Sequence, residues 1–323
     1  GENNNEEIVY DSHGRVVLIR KPSEATWHWR HYDKLGRVIQ TGKWTDSRTR
    51  STLQSYFDNG TLPTADNTTS RLLYYLFQEN MQGARIDVPL TTCEFYTENF
   101  YDDYNGLAYY DGSTTHTMSF SYDNSIFSGH MSSTLSSVLP PTTASSKTKG
   151  MLTCSVKKVL KPGVLPALAN YVEVANFYDD RGRLVQFRRN NALGGQDVCG
   201  TQFDFKGRIL TEINKWNNPL CTAQPNTEII TDYYYNGYTQ SLASIYQSIN
   251  GTSWRTLASY RYNSLGQQIK KIIGESIETQ NLTYNIRGSL TGINPWYAID
   301  GSTSGDAMTF GVKLHYEDGF TNH

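Results

Sequence analysis

Apolar and polar positions alternate along most of this chain, in short runs that end at glycine. In Gln280-Asn281-Leu282-Thr283-Tyr284-Asn285-Ile286, the residues Leu282, Tyr284 and Ile286 fall on one face, which is the period of a half-buried strand. The helical spacing i, i+3, i+4, i+7 is missing from these segments. Where the runs end, a phrase recurs: an aromatic residue, Asp or Asn, two variable residues, Gly, then usually Arg and an aliphatic pair. It reads Tyr10-Asp11-Ser12-His13-Gly14-Arg15-Val16-Val17 and Tyr32-Asp33-Lys34-Leu35-Gly36-Arg37-Val38-Ile39. It returns as Tyr178-Asp179-Asp180-Arg181-Gly182-Arg183-Leu184-Val185 and Phe203-Asp204-Phe205-Lys206-Gly207-Arg208-Ile209-Leu210. Looser copies stand at Tyr262-Asn263-Ser264-Leu265-Gly266 and Tyr284-Asn285-Ile286-Arg287-Gly288.

The phrase has the chemistry of a chain reversal. Asp or Asn bonds backbone two residues on, and glycine takes a positive φ without a Cβ clash. The aliphatic pair that follows favours a pleated segment. Glycines 22 residues apart, from Gly14 to Gly36 and from Gly266 to Gly288, leave room for two strands and two turns. The repeats therefore predict consecutive antiparallel β-hairpins, forming a twisted, partly wrapped sheet or open shell.

The other elements follow from local signals. The strongest helix candidate spans 46–60, with Asp46 or Ser47 as N-cap, Gly60 as stop, and Leu53, Tyr56 and Phe57 as its inner face. Leu72 to Phe77 reads as a strand, with helix allowed by its periodicity, and Glu94 to Phe100 reads as a strand. From 111 to 149 the chain turns rich in Ser, Thr and Gly, with a short helix expected near Ser132 to Val138. Ala298 to Asp306 reads as a loop and Phe310 to Tyr316 as a last strand. The expected organisation is a disordered 1–7, first hairpins over 8–45, an irregular insertion over 46–150, the main repeat sheet over 151–317 and a tail over 318–323.

The phrase resembles the YD-repeat (RHS-repeat) family. Asn176-Phe177-Tyr178-Asp179-Asp180-Arg181-Gly182-Arg183-Leu184-Val185-Gln186, Thr148-Lys149-Gly150-Met151-Leu152-Thr153 and Phe310-Gly311-Val312-Lys313-Leu314-His315-Tyr316 are similar to RHS proteins of the Bacteroidetes. The resemblance runs from about residue 8 to 317. It implies hairpins joined edge to edge into a shell wall, of which 323 residues are a segment or a shortened version. It also implies a secreted or cell-surface protein. Some family members enclose a C-terminal toxin, and no toxin-like stretch or core segment stands here.

Composition narrows the chemistry. Hydrophobic residues make up 37% and charged residues 19%, with 23 tyrosines, a balance that suits amphipathic sheets better than a helical bundle. A net charge of −2 gives no electrostatic footprint for nucleic acid, and no apolar run is long enough to span a membrane as a helix. Cys93, Cys154, Cys199 and Cys221 are scattered, read as free thiols, with a Cys199–Cys221 bridge as the one alternative.

The candidate sites read mostly as structure. The Asp and Arg of each repeat recur too often for one active site, so the aspartates are turn caps and Arg15, Arg37, Arg183 and Arg208 their partners or ring covers. Asp102-Asp103 and Asp179-Asp180 are adjacent carboxylates, which on a strand point to opposite faces. The same geometry separates His28 from His31. Gly301-Ser302-Thr303-Ser304-Gly305 has Thr where a nucleophile elbow has Ser. No catalytic, cofactor or metal site is expected. The leading expectation is a non-enzymatic scaffold, with further repeat segments as partners at open sheet edges. The alternatives are a glycan- or protein-binding surface built on Trp27, Trp29, Trp296 and Tyr297, and part of a toxin-encapsulating shell.

Overall fold

A computed structural model of the chain describes residues 6–22, 24–60, 72–73, 76, 93–105, 107–110, 115–118, 120–131, 138–159, 171–303 and 305–316. The fold is mainly antiparallel β, built from consecutive hairpins. The chain divides into two units, one of Gly1–Asp123, Pro141–Val198 and Asn217–Pro225, the other of Asn124–Pro140, Cys199–Trp216 and Asn226–His323. Strands β11 (Gln196–Phe203) and β12 (Ile209–Asn217) carry residues assigned to each.

In the first unit β1 (Glu7–Tyr10), β2 (Val16–Arg20), β3 (Thr26–Tyr32), β4 (Val38–Thr45), β5 (Cys93–Asp102), β8 (Thr148–Lys158), β9 (Tyr171–Tyr178) and β10 (Leu184–Asn190) pair antiparallel in that order. Helix α1 (Arg50–Asn59) follows β4, and β6 (Ala108–Tyr110) with β7 (Thr115–Thr117) forms a separate two-stranded ladder. Strand β3 alternates as its sequence demands: Trp27, Trp29 and His31 are buried, His28 and Arg30 exposed. Gly42 of β4 sits opposite Trp29, and a Cβ there would meet the indole at 2.5 Å. A bulkier residue would therefore expel the ring that fills this core.

Helix α1 closes that core with Leu53 and Phe57, while Tyr56 packs at its margin. Its N-cap is Thr49, whose Oγ1 accepts from the Thr52 N–H at 3.2 Å, and not the expected Asp46 or Ser47. Asp46 is already committed, accepting from the Arg48 N–H, Nε and Nη2 at 2.8, 2.9 and 2.8 Å. Gly60 ends the helix at φ 61°. The strand expected over Leu72 to Phe77 is corrected: Leu72, Leu73 and Leu76 are helical and join the same buried cluster. The strand expected over Glu94 to Phe100 is the ten-residue β5, paired to β4 and β8.

In the second unit β13 (Asn226–Tyr235), β14 (Leu242–Ile249), β15 (Arg255–Tyr262), β16 (Gln268–Ile273), β17 (Glu278–Tyr284), β18 (Leu290–Ile293) and β19 (Val312–Lys313) form an antiparallel succession. A 3₁₀ turn at Asn124–Phe127 buries Ile126 and Phe127, which come within 3.3 and 2.9 Å of a Cβ built on Gly200. Most residues along β14 and β16 are half-buried whichever way they point, with Ser248 buried and Ile249 and Ile269 exposed.

The end of the chain departs from expectation. Residues 295–300, expected partly as loop, form helix α2 (Pro295–Asp300), with Pro in the first turn and Gly301 as an αL cap at φ 76°. Asn294 seats it: its Nδ2 donates to the Thr279 and Phe310 carbonyls at 2.8 and 2.9 Å, and its Oδ1 accepts from the Asn281 N–H at 2.7 Å. The final strand is only Val312–Lys313. All four cysteines are free. Cys221 lies in a turn where its N–H donates to the Asn218 carbonyl, outside any strand, so the alternative bridge to Cys199 does not form. Burial pushes the Cys93 thiol up to about 12 and Cys199 to about 11. Most of the expected 132–138 helix and the two chain ends, 1–5 and 317–323, lie outside the described residues, although Glu7 already belongs to β1. Among the described residues no helix is long and apolar enough to cross a membrane.

A polar row crosses the first unit's core face. His31 Nδ1 faces Gln40 Oε1 at 3.3 Å, and Gln40 Nε2 donates to Glu98 Oε1 at 3.0 Å. Burial raises the Glu98 carboxyl from 4.5 to about 7, with the Gln40 bond opposing the shift. The folded state thus keeps a proton that the unfolded chain has released, so stability falls as pH rises from 4.5 through about 7. Glu98→Gln should melt higher than the parent at pH 8, by roughly 1–3 kcal/mol, with the gain vanishing near pH 4. Equal melting shifts at both values in pH-resolved thermal unfolding would refute the assignment.

Candidate functional site

Each repeat phrase folds into the same reversal. Asp11 Oδ1 accepts from the backbone N–H groups of His13 and Arg15, both at 2.9 Å, and its Oδ2 accepts from Arg15 Nε at 2.6 Å. Asp33 repeats this with Leu35, Arg37 and Arg37 Nε at 2.9, 2.9 and 2.7 Å. Asp179 does so with Arg181, Arg183 and Arg183 Nε at 2.9, 2.9 and 2.7 Å. Asp204 holds the Arg208 N–H at 2.8 Å and its Nε at 2.6 Å. Asn263 and Asn285 make the same two backbone bonds. The glycines sit at φ 75° to 90°, at Gly14, Gly36, Gly182, Gly207, Gly266 and Gly288, a region costly for any residue with a Cβ. A seventh copy escaped the motif: Asn191 binds the Leu193 and Gly195 N–H groups at 3.0 Å, with Gly194 at φ 82°. Its preceding residue is Asn190, so the aromatic signal was missing.

The aromatic residue of the phrase ties one hairpin to the one before. Beside the turns the register skips one residue, leaving Val17, Ile39, Val185, Ile269 and Thr291 as single-residue bulges. At six turns the carbonyl two residues past the glycine receives a tyrosine hydroxyl from the next hairpin. Tyr32 donates to Val16 at 2.9 Å, Tyr101 to Val38 at 3.3 Å, and Tyr178 to Leu152 at 2.8 Å. Tyr235 donates to Ile209 at 3.0 Å, Tyr284 to Gln268 at 2.7 Å, and Tyr316 to Leu290 at 2.9 Å. Over three of these rings lies the arginine that follows the glycine. Arg15 is 4.9 Å from the Tyr32 centroid, Arg37 4.3 Å from Tyr101, and Arg208 4.2 Å from Tyr235.

One repeat is split. Tyr101-Asp102 begins it and Gly150-Met151-Leu152 completes it, with residues 103–147 interposed. Asp102 Oδ1 accepts from the Gly150 N–H at 2.6 Å, and its carbonyl accepts from Thr148 Oγ1 at 2.6 Å. Asp102 itself takes φ 78°. Lacking an arginine of its own turn, it receives both outer nitrogens of Arg37, at 2.9 and 2.7 Å. Arg37 holds the Asp102 carboxyl down at about 2. The first-unit part of the insert is pinned to neighbouring strands: Tyr104 and Tyr122 stack on Phe177 at 5.5 and 5.8 Å. Ser145 Oγ donates to Asp180 at 2.6 Å. The paired carboxylates Asp102-Asp103 and Asp179-Asp180 do not converge, since Asp102 and Asp179 are turn locks and Asp180 faces Ser145 and Lys147.

The candidate binding aromatics separate. Trp27 and Trp29 are 0% and 1% exposed, so the expectation that they present a ligand surface is corrected. Arg20 covers the Trp27 ring at 4.1 Å, and Trp29 Nε1 donates to the Lys43 carbonyl at 3.3 Å. Trp296 is 68% exposed and Tyr297 half-buried, both on α2. Among the described residues no group of three or more His, Cys, Asp or Glu could hold a metal ion. A cleft of about 750 Å³ opens beside the Asn285–Ser289 turn, lined by Asn285, Ser289, Thr291, Pro295, Lys313 and Tyr316 among others.

No family model matches the chain, and no curated protein matches it. Among solved structures it is similar to that of TcdB2-TccC3-TEV, at 12% identity and a TM-score of 0.29, over 88% of this chain and 13% of that one. The TcdB2-TccC3 structure aligns at 12% identity with a TM-score of 0.29, over 88% of this chain and 13% of that one. The Photorhabdus luminescens Tc holotoxin pore aligns at 12% identity with a TM-score of 0.27, over 87% and 12%. The chain spans a small fraction of the length of each.

Two outcomes test the clamp. Tyr235→Phe, which keeps the ring beneath Arg208 but removes the hydroxyl, should cost about 1 kcal/mol in denaturant unfolding. Tyr235→Leu should cost about 0.5–1 kcal/mol more; a phenylalanine variant as stable as the parent refutes the hydroxyl's role. The Asp102 carboxyl is depressed from 3.8 to about 2, so its contribution is present above pH 3.8 and is lost as pH falls through about 2. Asp102→Asn should therefore be less stable than the parent at pH 6, the gap closing by pH 2. A gap independent of pH would show that the charge plays no part.

Proposed function

We propose that this chain is a non-enzymatic scaffold of the YD-repeat type, a stretch of β-wall from a secreted or cell-surface protein. The observation that carries the reading is the tyrosine clamp, recurring six times on the carbonyl two residues past a turn glycine. It makes each hairpin a splint for its neighbour, as a rigid extended wall requires. The aspartates and arginines of the repeats are consumed in the same task. The Asp204 side chain is fully buried at the turn it locks. Its carboxyl stays below its usual range although burial opposes this, because the Arg208 and Lys206 N–H groups and the Arg208 guanidinium bind the anion. A carboxylate so saturated has no proton to exchange and no lone pair for substrate.

Hydrogen–deuterium exchange on the whole chain tests the scaffold reading. The turn amides of Arg15, Arg37, Arg183 and Arg208 should exchange as slowly as the adjoining strands, as expected of a wall locked at its reversals. Turns that exchange orders of magnitude faster than their strands would mark mobile loops and sink the proposal. So would turnover of any glycoside or peptide substrate that disappears in Asp204→Asn.

A further inference from the structure

At several turns the side chain that follows the glycine has a second job: it lies across to the next turn. Arg15 Nη1 donates to the Asp33 carbonyl at 3.3 Å, and Arg208 Nη1 to the Gln240 carbonyl at 2.8 Å. Met151 Cε comes within 2.6 Å of a Cβ built on Gly182, and Gln267 Nε2 within 3.3 Å of one on Gly288. After Gly288 the residue is Ser289, too short to make that crossing. Tyr316 nevertheless takes the place of the clamped tyrosine, with its hydroxyl on Leu290. The cleft of about 750 Å³ opens where the missing side chain would lie, with Ser289 and Tyr316 both in its lining.

The chemistry of the lining selects an occupant. An arginine from outside would not be held as the internal ones are, because Asn285 replaces the turn aspartate. Lys313 lines the cleft, and no carboxylate does so among the described residues. The chain supplies a precedent for what Asn prefers. In the preceding turn Asn263 Nδ2 donates to Gln267 Oε1 at 2.7 Å. Asn285 spends its Oδ1 on the Arg287 and Ser289 N–H groups at 3.0 and 2.9 Å, and its Nδ2 has no partner among the described residues.

We propose that this cleft receives a glutamate side chain from an extended acidic peptide of a partner protein. The side chain crosses over the Tyr316 ring, where the guanidinium groups of Arg15, Arg37 and Arg208 lie over the clamped tyrosines of their turns. The carboxylate accepts from Asn285 Nδ2 and pairs with Lys313. Ile286, wholly exposed, and Leu314, 39% exposed, offer apolar contacts to the flanking peptide residues. The site stands whether or not the wall is a scaffold, since it depends only on the Ser289 gap.

Fluorescence anisotropy on the full chain tests it, using labelled heptapeptides with one central glutamate, glutamine or arginine in a Gly/Thr/Val frame. The glutamate peptide should bind saturably, the glutamine peptide about tenfold more weakly, and the arginine peptide not at all. Ser289→Gln, which places here the side chain found at Gln267, should keep the melting temperature and weaken the glutamate peptide at least about tenfold. Lys313→Gln should abolish the preference for glutamate over glutamine, a second readout should the first variant misfold. The proposal is overturned by no saturable binding of the glutamate peptide, by equal binding of the arginine peptide, or by unchanged affinity in a folded Ser289→Gln protein.

Discussion

One carboxylate or carboxamide, placed just before a two-residue excursion and a glycine, holds this architecture together. Its first oxygen fixes two backbone amides, and in the four Asp turns and at Asn263 its second position grips the side chain four residues on. Where that side chain is arginine the lock is an ion pair with fully or nearly buried carboxylates, at Asp11, Asp33, Asp179 and Asp204. Removing one partner from such a pair leaves a buried charge uncompensated, which costs about 3–5 kcal/mol. The neutral version appears where the fifth residue is neutral: Asn191 precedes Gly195, Asn263 precedes Gln267, and Asn285 precedes Ser289. Charge at one position thus dictates charge at the other, and the two forms do not mix among these seven turns.

From this lock the structure propagates along the chain. At six turns the chain offers a carbonyl two residues past the glycine, and the next hairpin's tyrosine takes it. A net gain of about 1 kcal/mol per hydroxyl is small singly but recurs at six turns. It binds neighbours in sequence, so order in one hairpin helps order the next. The first unit adds a second stabilising layer, because α1 and the helical leucines cover its tryptophan face. Among the described residues of the second unit, most side chains of β14 and β16 stay half-buried. Its turns and clamps therefore carry proportionally more of its stability.

What the motif reveals and what it hides follow from locality. The turn glycines, the strands between them and the stop at Gly60 were legible because each depends on residues a few positions apart. The N-cap was misplaced for the same reason turned around: Asp46 is a good cap in isolation, but Arg48 claims it first. Helix α2 looked like loop because its six residues carry little pattern and its seat is Asn294, bonded to Thr279 and Phe310 on other segments. The split repeat was invisible, since Asp102 and Gly150 read as one phrase only when the intervening residues are folded aside.

The amino-acid order alone determined where the backbone reverses, because positive φ at glycine and an Asp or Asn cap are local demands that no distant contact needs to supply. The fate of the aromatic residues was settled only in three dimensions. Trp27 and Trp29 look as available as Trp296 in the sequence, yet the first two lie beneath a helix and the third stands in solvent. Burial depends on which distant segment returns to cover a strand, and a pattern of alternation specifies a face without saying what will cover it.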